Sequence, residues 1–220
     1  MPFGVDEAGK GPVFGSMFAA AVHVTEETAL PDGLDDSKNL SPTRREEFAT
    51  RLRDHPGIAI GLAEVPVSRI DDPSTDMNSL TVTAHAEAID EAVGDVGDDL
   101  EAPAGLCDAC DIDADRFARR VAENCTSDVT VEARHGADAE SPVVAAASII
   151  AKVARDAHVA AIADEYGDVG SGYPGDRTTR TFLESYVDEN GELPPFARAS
   201  WSTCEDVLAA ANQTGLGDFS

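Results

Sequence analysis

"FGVDEAGKGPVFGSMFAAAVHV", residues 3–24, sets two apolar runs on either side of a glycine-rich turn, with two acids and a lysine at the join. FGVDEA (3–8) and VFGSMFAAAVHV (13–24) are predicted strands, because short apolar runs bounded by glycine fit buried strands. Asp6 and Glu7 fall where the first strand meets the turn. Adjacent side chains on a regular strand face opposite sides. Both acids therefore serve one site only if the strand ends there, an ending that Gly9 and Gly11 favour. Neighbouring carboxylates oppose each other's ionisation unless a cation sits between them. Gly9-Lys10-Gly11 adds unobstructed backbone amides and one cation, which suits a phosphate whose oxygens also touch a metal.

That lysine stands out against the composition. The 220 residues include 42 acidic and 16 basic ones, for a net charge of −26. Lysine occurs only as Lys10, as Lys38 in DSKNL and as Lys152 in SIIAKVARD. An apolar content of 42% is enough for a packed core, so the acidity is not that of a disordered chain. Acids spread over the whole chain, few lysines and long alanine and valine runs point to a salt-loaded cytoplasm. At about 1 M salt the Debye length is only about 3 Å, so such repulsion is quenched. Long-range basic steering of a nucleic acid is then excluded, although binding itself is not. No apolar run reaches the roughly 18 residues of a membrane span. Acids precede the first apolar stretch where a signal peptide would be basic, so a cytoplasmic monomer is expected.

Further along, LSPTRREEFATRLRDH (40–55) is a predicted helix with Ser41 as N-cap and Pro42 at its first position. IAIGLAEVPV (58–67) is a third strand and residues 76–94 a helix. AGLCDA (104–109) is a short buried strand, DADRFARRVAEN a helix and SDVTVEA a fifth strand. SPVVAAASIIAKVARDAHVAAIADEYG (141–167) is the longest helix, GSGYPGD (170–176) a loop, and two more helices follow. This pattern predicts an α/β fold with a mixed five-stranded sheet flanked by helices and a C-terminal helical extension. The expected organisation is a catalytic domain over 1–168, a tyrosine loop and helical region over 169–212, and a tail over 213–220.

Two more groups of residues suggest chemistry. Asp111, Asp113 and Asp115 have alternate spacing like a calcium loop, but Arg116 and Ala122 occupy positions that such a loop reserves for glycine and an acid. They are better placed to begin a helix, where the dipole favours acids. Asp108, closing an apolar strand, has a positional reason to be functional. Asp138 lies just before a helix start. Ser148, Lys152 and Arg155, spaced i, i+4 and i+7, share one helix face. Cys107 and Cys110 form a C-x-x-C with no second pair to complete a zinc site. Buried reduced thiols are the expectation for all four cysteines.

Taken together, DEAGKGPVFG, DSKNLS, LCDA, HGADAESPVVAAASIIAKVARD, GSGYPGD and RASW resemble, in order, the motifs of the type 2 ribonucleases H in their archaeal form. Three positions depart from the family pattern: Lys10 for arginine, Gly136 for lysine and Cys107 for a bulkier residue. The resemblance implies a ribonuclease H-like fold with Asp6, Glu7, Asp108 and Asp138 as catalytic and metal-binding carboxylates. They would hold two Mg²⁺ or Mn²⁺ ions about 3.5–4 Å apart. The implied activity is cleavage of RNA in RNA–DNA hybrids and at single ribonucleotides in duplex DNA. It would leave 5′-phosphate and 3′-hydroxyl ends and remove ribonucleotides during replication and repair. The 2′-hydroxyl distinguishes the substrate. By resemblance the Gly9-Lys10-Gly11 backbone reads it, Tyr173 packs on the sugar, and Lys38, Arg44, Ser148 and Lys152 contact phosphates. A non-catalytic hybrid-binding protein and another metal nuclease of the same fold are the alternatives.

In the tail QTGLGDFS, Gln213, Leu216 and Phe219 match the pattern of sliding-clamp-binding peptides, with Ser220 where a second aromatic is usual. Gly215 and Gly217 argue that the last helix stops before the tail. The alternative is a tail folded back so that Phe219 caps the core.

Overall fold

The computed structural model describes residues 2–26, 29–34, 40–94 and 102–217, with side chains to residue 212. Strand β1 (Pro2–Ala8) lies at the centre of a five-stranded sheet whose order is β3-β2-β1-β4-β5. It pairs antiparallel with β2 (Met17–Val24), and β2 pairs antiparallel with β3 (Ile58–Val65). On its other side β1 runs parallel to β4 (Ala104–Asp108), which is parallel to β5 (Thr130–Arg134). The mixed sheet is the one expected.

Two strand ends differ from the sequence reading. β2 begins at Met17 rather than Val13, because residues 13–15 are engaged elsewhere. Val13 N–H donates to Gly172 O at 2.7 Å, Gly15 N–H to Phe196 O at 2.8 Å, and Phe14 bridges to Ala197. β3 stops at Val65 because Pro66 has no N–H to give a ladder. Pro66 instead caps a short helix, α2 (Val67–Ile70).

Strand alternation divides the core into two layers. Phe3, Val5, Met17, Ala19 and Ala21 meet α3 (Met77–Val93) and α4 (Ala114–Asn124) on one face. Ala20, Val22 and Val24 meet α1 (Pro42–Asp54) and α5 (Pro142–Tyr166) on the other. The helix starts follow their caps. Ser41 Oγ accepts from Arg44 N–H at 3.3 Å, and Asp113 caps α4 by accepting from Arg116 N–H at 2.9 Å. Ser141 takes the cap position of α5 without a side-chain hydrogen bond. Asp111 pairs with Arg116 at 2.5 Å, so the aspartate series serves the start of α4. β4 is only partly covered rather than buried throughout. All four cysteines are free thiols; Cys107 and Cys204 are buried, and Cys110 and Cys125 half-buried.

A third apolar cluster joins Val13 and Phe14 to α6 (Arg177–Asn190), α7 (Ser202–Gly217) and the far end of α5. α7 continues through Gln213, Gly215 and Gly217, where the sequence reading stops it. A glycine costs about 1 kcal/mol in a helix, but extending an established alanine-rich helix bears no nucleation cost. Phe219, Lys38 and the side chains of Gln213 and Leu216 lie outside the described residues. Among those residues no helix is long and apolar enough to cross a membrane.

α5 lies directly on β1, and Gly4 permits the approach. A Cβ on Gly4 would sit 2.5 Å from both Val143 C and Val144 N, which are backbone atoms that cannot turn aside. Gly4→Ala is expected to cost about 3 kcal/mol and to lower Tm by roughly 6–12 °C. Thermal melts of wild type and variant check this, and a Tm within about 2 °C of wild type would show that the two elements can separate freely.

Candidate active site

The parallel register of β1 and β4 carries two acids to the same sheet end. Val5 lies opposite Cys107, so Asp6 and Asp108 are neighbours one residue further on. Asp108 Oδ1 accepts from Ala137 N–H at 3.0 Å, which draws the turn before α5 against the strand end. Gly136, at φ 70°, sets that turn, and the 3₁₀ residues Ala137–Ala139 present Asp138, which is buried. One oxygen from each of Asp6, Asp108 and Asp138 lies within 4.8 Å of the others.

Bringing these groups together distorts their titration. Burial first, and then the charge of Glu7, push Asp6 up to about 8, against a stabilising hydrogen bond from Ser148. Burial also raises Asp108, opposed by the Ala137 N–H and reinforced by Asp138. The donor set fits a hard divalent cation. Ligand oxygens at about 2.1 Å from an ion lie at most about 4.2 Å apart, so the trio needs only a sub-ångström contraction to close on one.

Glu7 is not in that group. β1 keeps its pairing past both acids, with Asp6 opposite Ala20, Glu7 opposite Ala19 and Ala8 opposite Phe18. The strand does not end at the acids as the sequence reading required, and the two carboxylates take opposite faces. Asp6 turns toward Ser148 on α5; Glu7 Oε2 lies 3.0 Å from Nε2 of the wholly buried His85 on α3.

Beside the trio lies a cleft of about 450 Å³, lined by Glu7, the Gly9-Lys10-Gly11 turn and Tyr173 together with Arg45, Lys152, Arg155 and Asp156. Lys152 Nζ donates to Ser148 Oγ at 2.7 Å, so a lysine–serine–aspartate chain runs from the cleft to Asp6. Arg155 donates to Ser171 O and places its guanidinium 5.3 Å from the Tyr173 ring centre. The predicted helix stripe therefore forms, and its third member supports the tyrosine loop. Lys10 spans the mouth, donating to Asn78 Oδ1 and Cys110 O at 3.1 Å each. Arg44 turns away to Glu47 at 2.6 Å and lies over the Phe48 ring. The α1 arginine that reaches the cleft is Arg45, which bonds Leu40 O at 2.8 Å and Asp156 at 2.9 Å.

Sequence reading missed Arg45, His85 and, most consequentially, Arg198. Arg198 is buried, and its guanidinium donates to Gly15 O at 2.9 Å, Lys10 O at 3.0 Å and Gly9 O at 2.6 Å. The RASW stretch drew attention to this segment without giving the arginine a role.

The family model described as Ribonuclease HII matches residues 3–204. A ribonuclease HII of Haloarcula marismortui is 59% identical over 219 residues, covering 100% of both chains. The solved ribonuclease H2 of Pyrococcus horikoshii superposes with a TM-score of 0.86 at 32% identity, covering 96% of this chain and 99% of that one. The ribonuclease HII in a PCNA complex from Archaeoglobus fulgidus gives a TM-score of 0.82 at 33% identity, covering 94% and 96%.

The acid cluster makes a signed prediction. Asp6 ionises at a higher pH in the fold than its ordinary 3.8. Metal-free protein therefore loses stability from this group as pH rises from 3.8 toward about 8, and no further above that. At pH 8, Asp6→Asn is expected to raise the Tm of the metal-free protein by roughly 3 °C or more. It should also abolish the thermal shift given by Mn²⁺ and lower cleavage at least about 10²-fold. A variant that keeps the Mn²⁺ shift would place the metal elsewhere.

Proposed function

The chain belongs to the ribonuclease HII family and is a nuclease, and from that premise we propose that it cuts the RNA strand of RNA–DNA hybrids and duplex DNA at single embedded ribonucleotides. The observation that carries this reading is the convergence of Asp6, Asp108 and Asp138 within 4.8 Å beside a cleft lined by Glu7, four cationic side chains, Asp156 and the Gly9–Gly11 turn.

Asp6, Asp108 and Asp138 hold divalent metal, Mg²⁺ or Mn²⁺. Glu7 is the proposed fourth carboxylate for a two-ion site, held meanwhile by His85 at 3.0 Å. Bound ions supply Lewis acidity and an activated water for phosphodiester hydrolysis, leaving 5′-phosphate and 3′-hydroxyl ends. The protein's own groups do the positioning. Ser148 and Lys152 fix the Asp6 carboxylate, and Lys152, Arg155 and Arg45 present charge to the phosphates at contact range. Contacts of this kind keep their value in molar salt, where charge at a distance is screened. Lys10 and Lys38 are further proposed phosphate contacts. Gly9-Lys10-Gly11 reads the 2′-hydroxyl while Tyr173, 44% exposed and backed by Arg155, packs on the sugar. A salt-loaded cytoplasm, in keeping with the Haloarcula relative, and a role in clearing ribonucleotides during replication and repair complete the proposal.

Tyr173→Ala should reduce kcat/KM at a single embedded ribonucleotide about tenfold, in line with the worth of one aromatic packing contact. The loss on a continuous hybrid should be smaller, because neighbouring ribonucleotides offer alternative registers. Equal loss on both substrates together with a lower Tm would make Tyr173 a loop-filling residue.

The Archaeoglobus neighbour is described in complex with PCNA. We propose that Gln213, Leu216 and Phe219 dock this chain on a sliding clamp through apolar anchors that survive high salt. Leu216→Ala combined with Phe219→Ala is expected to raise the clamp Kd from near micromolar by at least about tenfold, with cleavage of short oligonucleotides unchanged. Undiminished clamp binding in molar KCl, or a Tm several degrees lower, would assign these residues to the fold instead.

A further inference from the structure

Among the described residues Arg198 is the bulkiest fully buried side chain, yet no described carboxylate lies at hydrogen-bond distance from it. Its three hydrogen bonds go to backbone carbonyls, and two of them, those of Gly9 and Lys10, belong to the turn that borders the cleft, while the third is that of Gly15 just before β2. Burying a cation is costly unless its donors are well satisfied. The arrangement is therefore expensive as mere packing, and an apolar side chain would fill the space more cheaply.

The geometry of the peptide unit shows what the arrangement achieves. In a trans peptide the C=O of one residue and the N–H of the next point in opposite directions. Drawing the Gly9 carbonyl inward turns the Lys10 N–H outward, and drawing the Lys10 carbonyl inward does the same for the Gly11 N–H. Among the described residues neither amide makes a hydrogen bond. Both residues border the cleft. Gly9 accepts the required backbone at φ 88°, where a side chain would be strained. Only a planar fork with several donors can hold carbonyls fanned around one centre; lysine presents a point charge instead.

Arg198 is itself held firmly. Its N–H donates to Val13 O at 2.8 Å, and Trp201 stacks 5.3 Å from its guanidinium carbon. Asp71, at the end of α2, accepts from Ala199 N–H at 2.8 Å, Ser200 N–H at 3.0 Å and Ser200 Oγ at 2.6 Å. The C-terminal region thus reaches back to the first turn of the chain and sets its peptide planes.

We propose that Arg198 is a positioning residue for ribonucleotide selectivity: by holding the Gly9 and Lys10 carbonyls, it aims the Lys10 and Gly11 amides at the 2′-oxygen of the substrate. The proposal rests on the reading that this turn recognises the ribose. It goes beyond that reading by locating the source of selectivity in a buried side chain that never touches nucleic acid.

The test compares binding of a DNA duplex containing one ribonucleotide with the same duplex made wholly of deoxyribonucleotides, in molar KCl. The Asp108→Asn background is used so that nothing is cut. The parent protein should favour the ribonucleotide duplex, and adding Arg198→Lys should shrink that preference at least about tenfold, the cost of a lost hydrogen bond. The metal-binding trio is untouched by that change, so in an otherwise wild-type chain Arg198→Lys should keep its Mn²⁺ thermal shift. In Arg198→Gly, millimolar guanidinium chloride should restore part of the preference, whereas the same concentration of sodium chloride should not. An Arg198→Lys protein with full preference overturns the proposal. So does an Arg198→Gly protein whose binding guanidinium leaves unchanged. A parent protein with no preference for the ribonucleotide overturns the reading of the turn beneath it, and that failure is distinct because it appears before Arg198 is altered.

Discussion

The two-residue alternation of β1 governs this molecule. Because the strand stays paired through Ala8, its odd side chains face α3 and its even ones face α5, and the alternation cannot be broken locally. Phe3 and Val5 build one core layer; Gly4 leaves room for α5 to lie on the strand. The same parity sends Asp6 to Ser148 and Glu7 to His85. A one-residue slip in register would exchange the faces and disperse the acidic cluster. The fold and the site therefore share a constraint, and the parallel pairing with β4 adds Asp108 by the same logic.

Around that strand the protein replaces long-range electrostatics with short contacts. A chain of net charge −26 cannot attract a polyanion from a distance. Its cations near the site are instead locked into neighbours: Lys152 to Ser148, Arg45 to Asp156, Lys10 to Asn78. Each is preorganised at the cleft, so that little side-chain entropy remains to be lost on binding. The C-terminal helices contribute in the same way. Their cluster anchors Val13 and Phe14, and Arg198 fixes the turn between β1 and β2. The central strand and the C-terminal region are thus one mechanical unit, tied at the residues that border the cleft.

The sequence displayed local features well. Asp108 closes a strand and Asp138 precedes a helix start that apolar patterning and caps announce, Asp6 lies on the strand that patterning predicts, and the stripe of Ser148, Lys152 and Arg155 follows from helical spacing alone. Features decided by distant partners were hidden. Nothing near Val13 indicates that its N–H is taken by Gly172, so β2 read four residues too long. The face of Glu7 depended on where β1 ends, which the pairing with β2 determines. Arg44 and Arg45 differ by one step around α1, too fine a distinction without the helix's docking angle on α5. Arg198 has no local signature, since its partners are carbonyls as far as 189 positions away.

The measurement that bears most directly on this account is the anomalous diffraction of Mn²⁺ in crystals grown at molar KCl. Parity of β1 and the register with β4 predict an ion coordinated jointly by Asp6, Asp108 and Asp138, with Ser148 still bonded to Asp6. An ion held by Glu7 and Lys10 carbonyl oxygen, with Asp138 or Asp108 left outside its coordination, would contradict the account, since the alternation of the central strand would then not be what assembles the site.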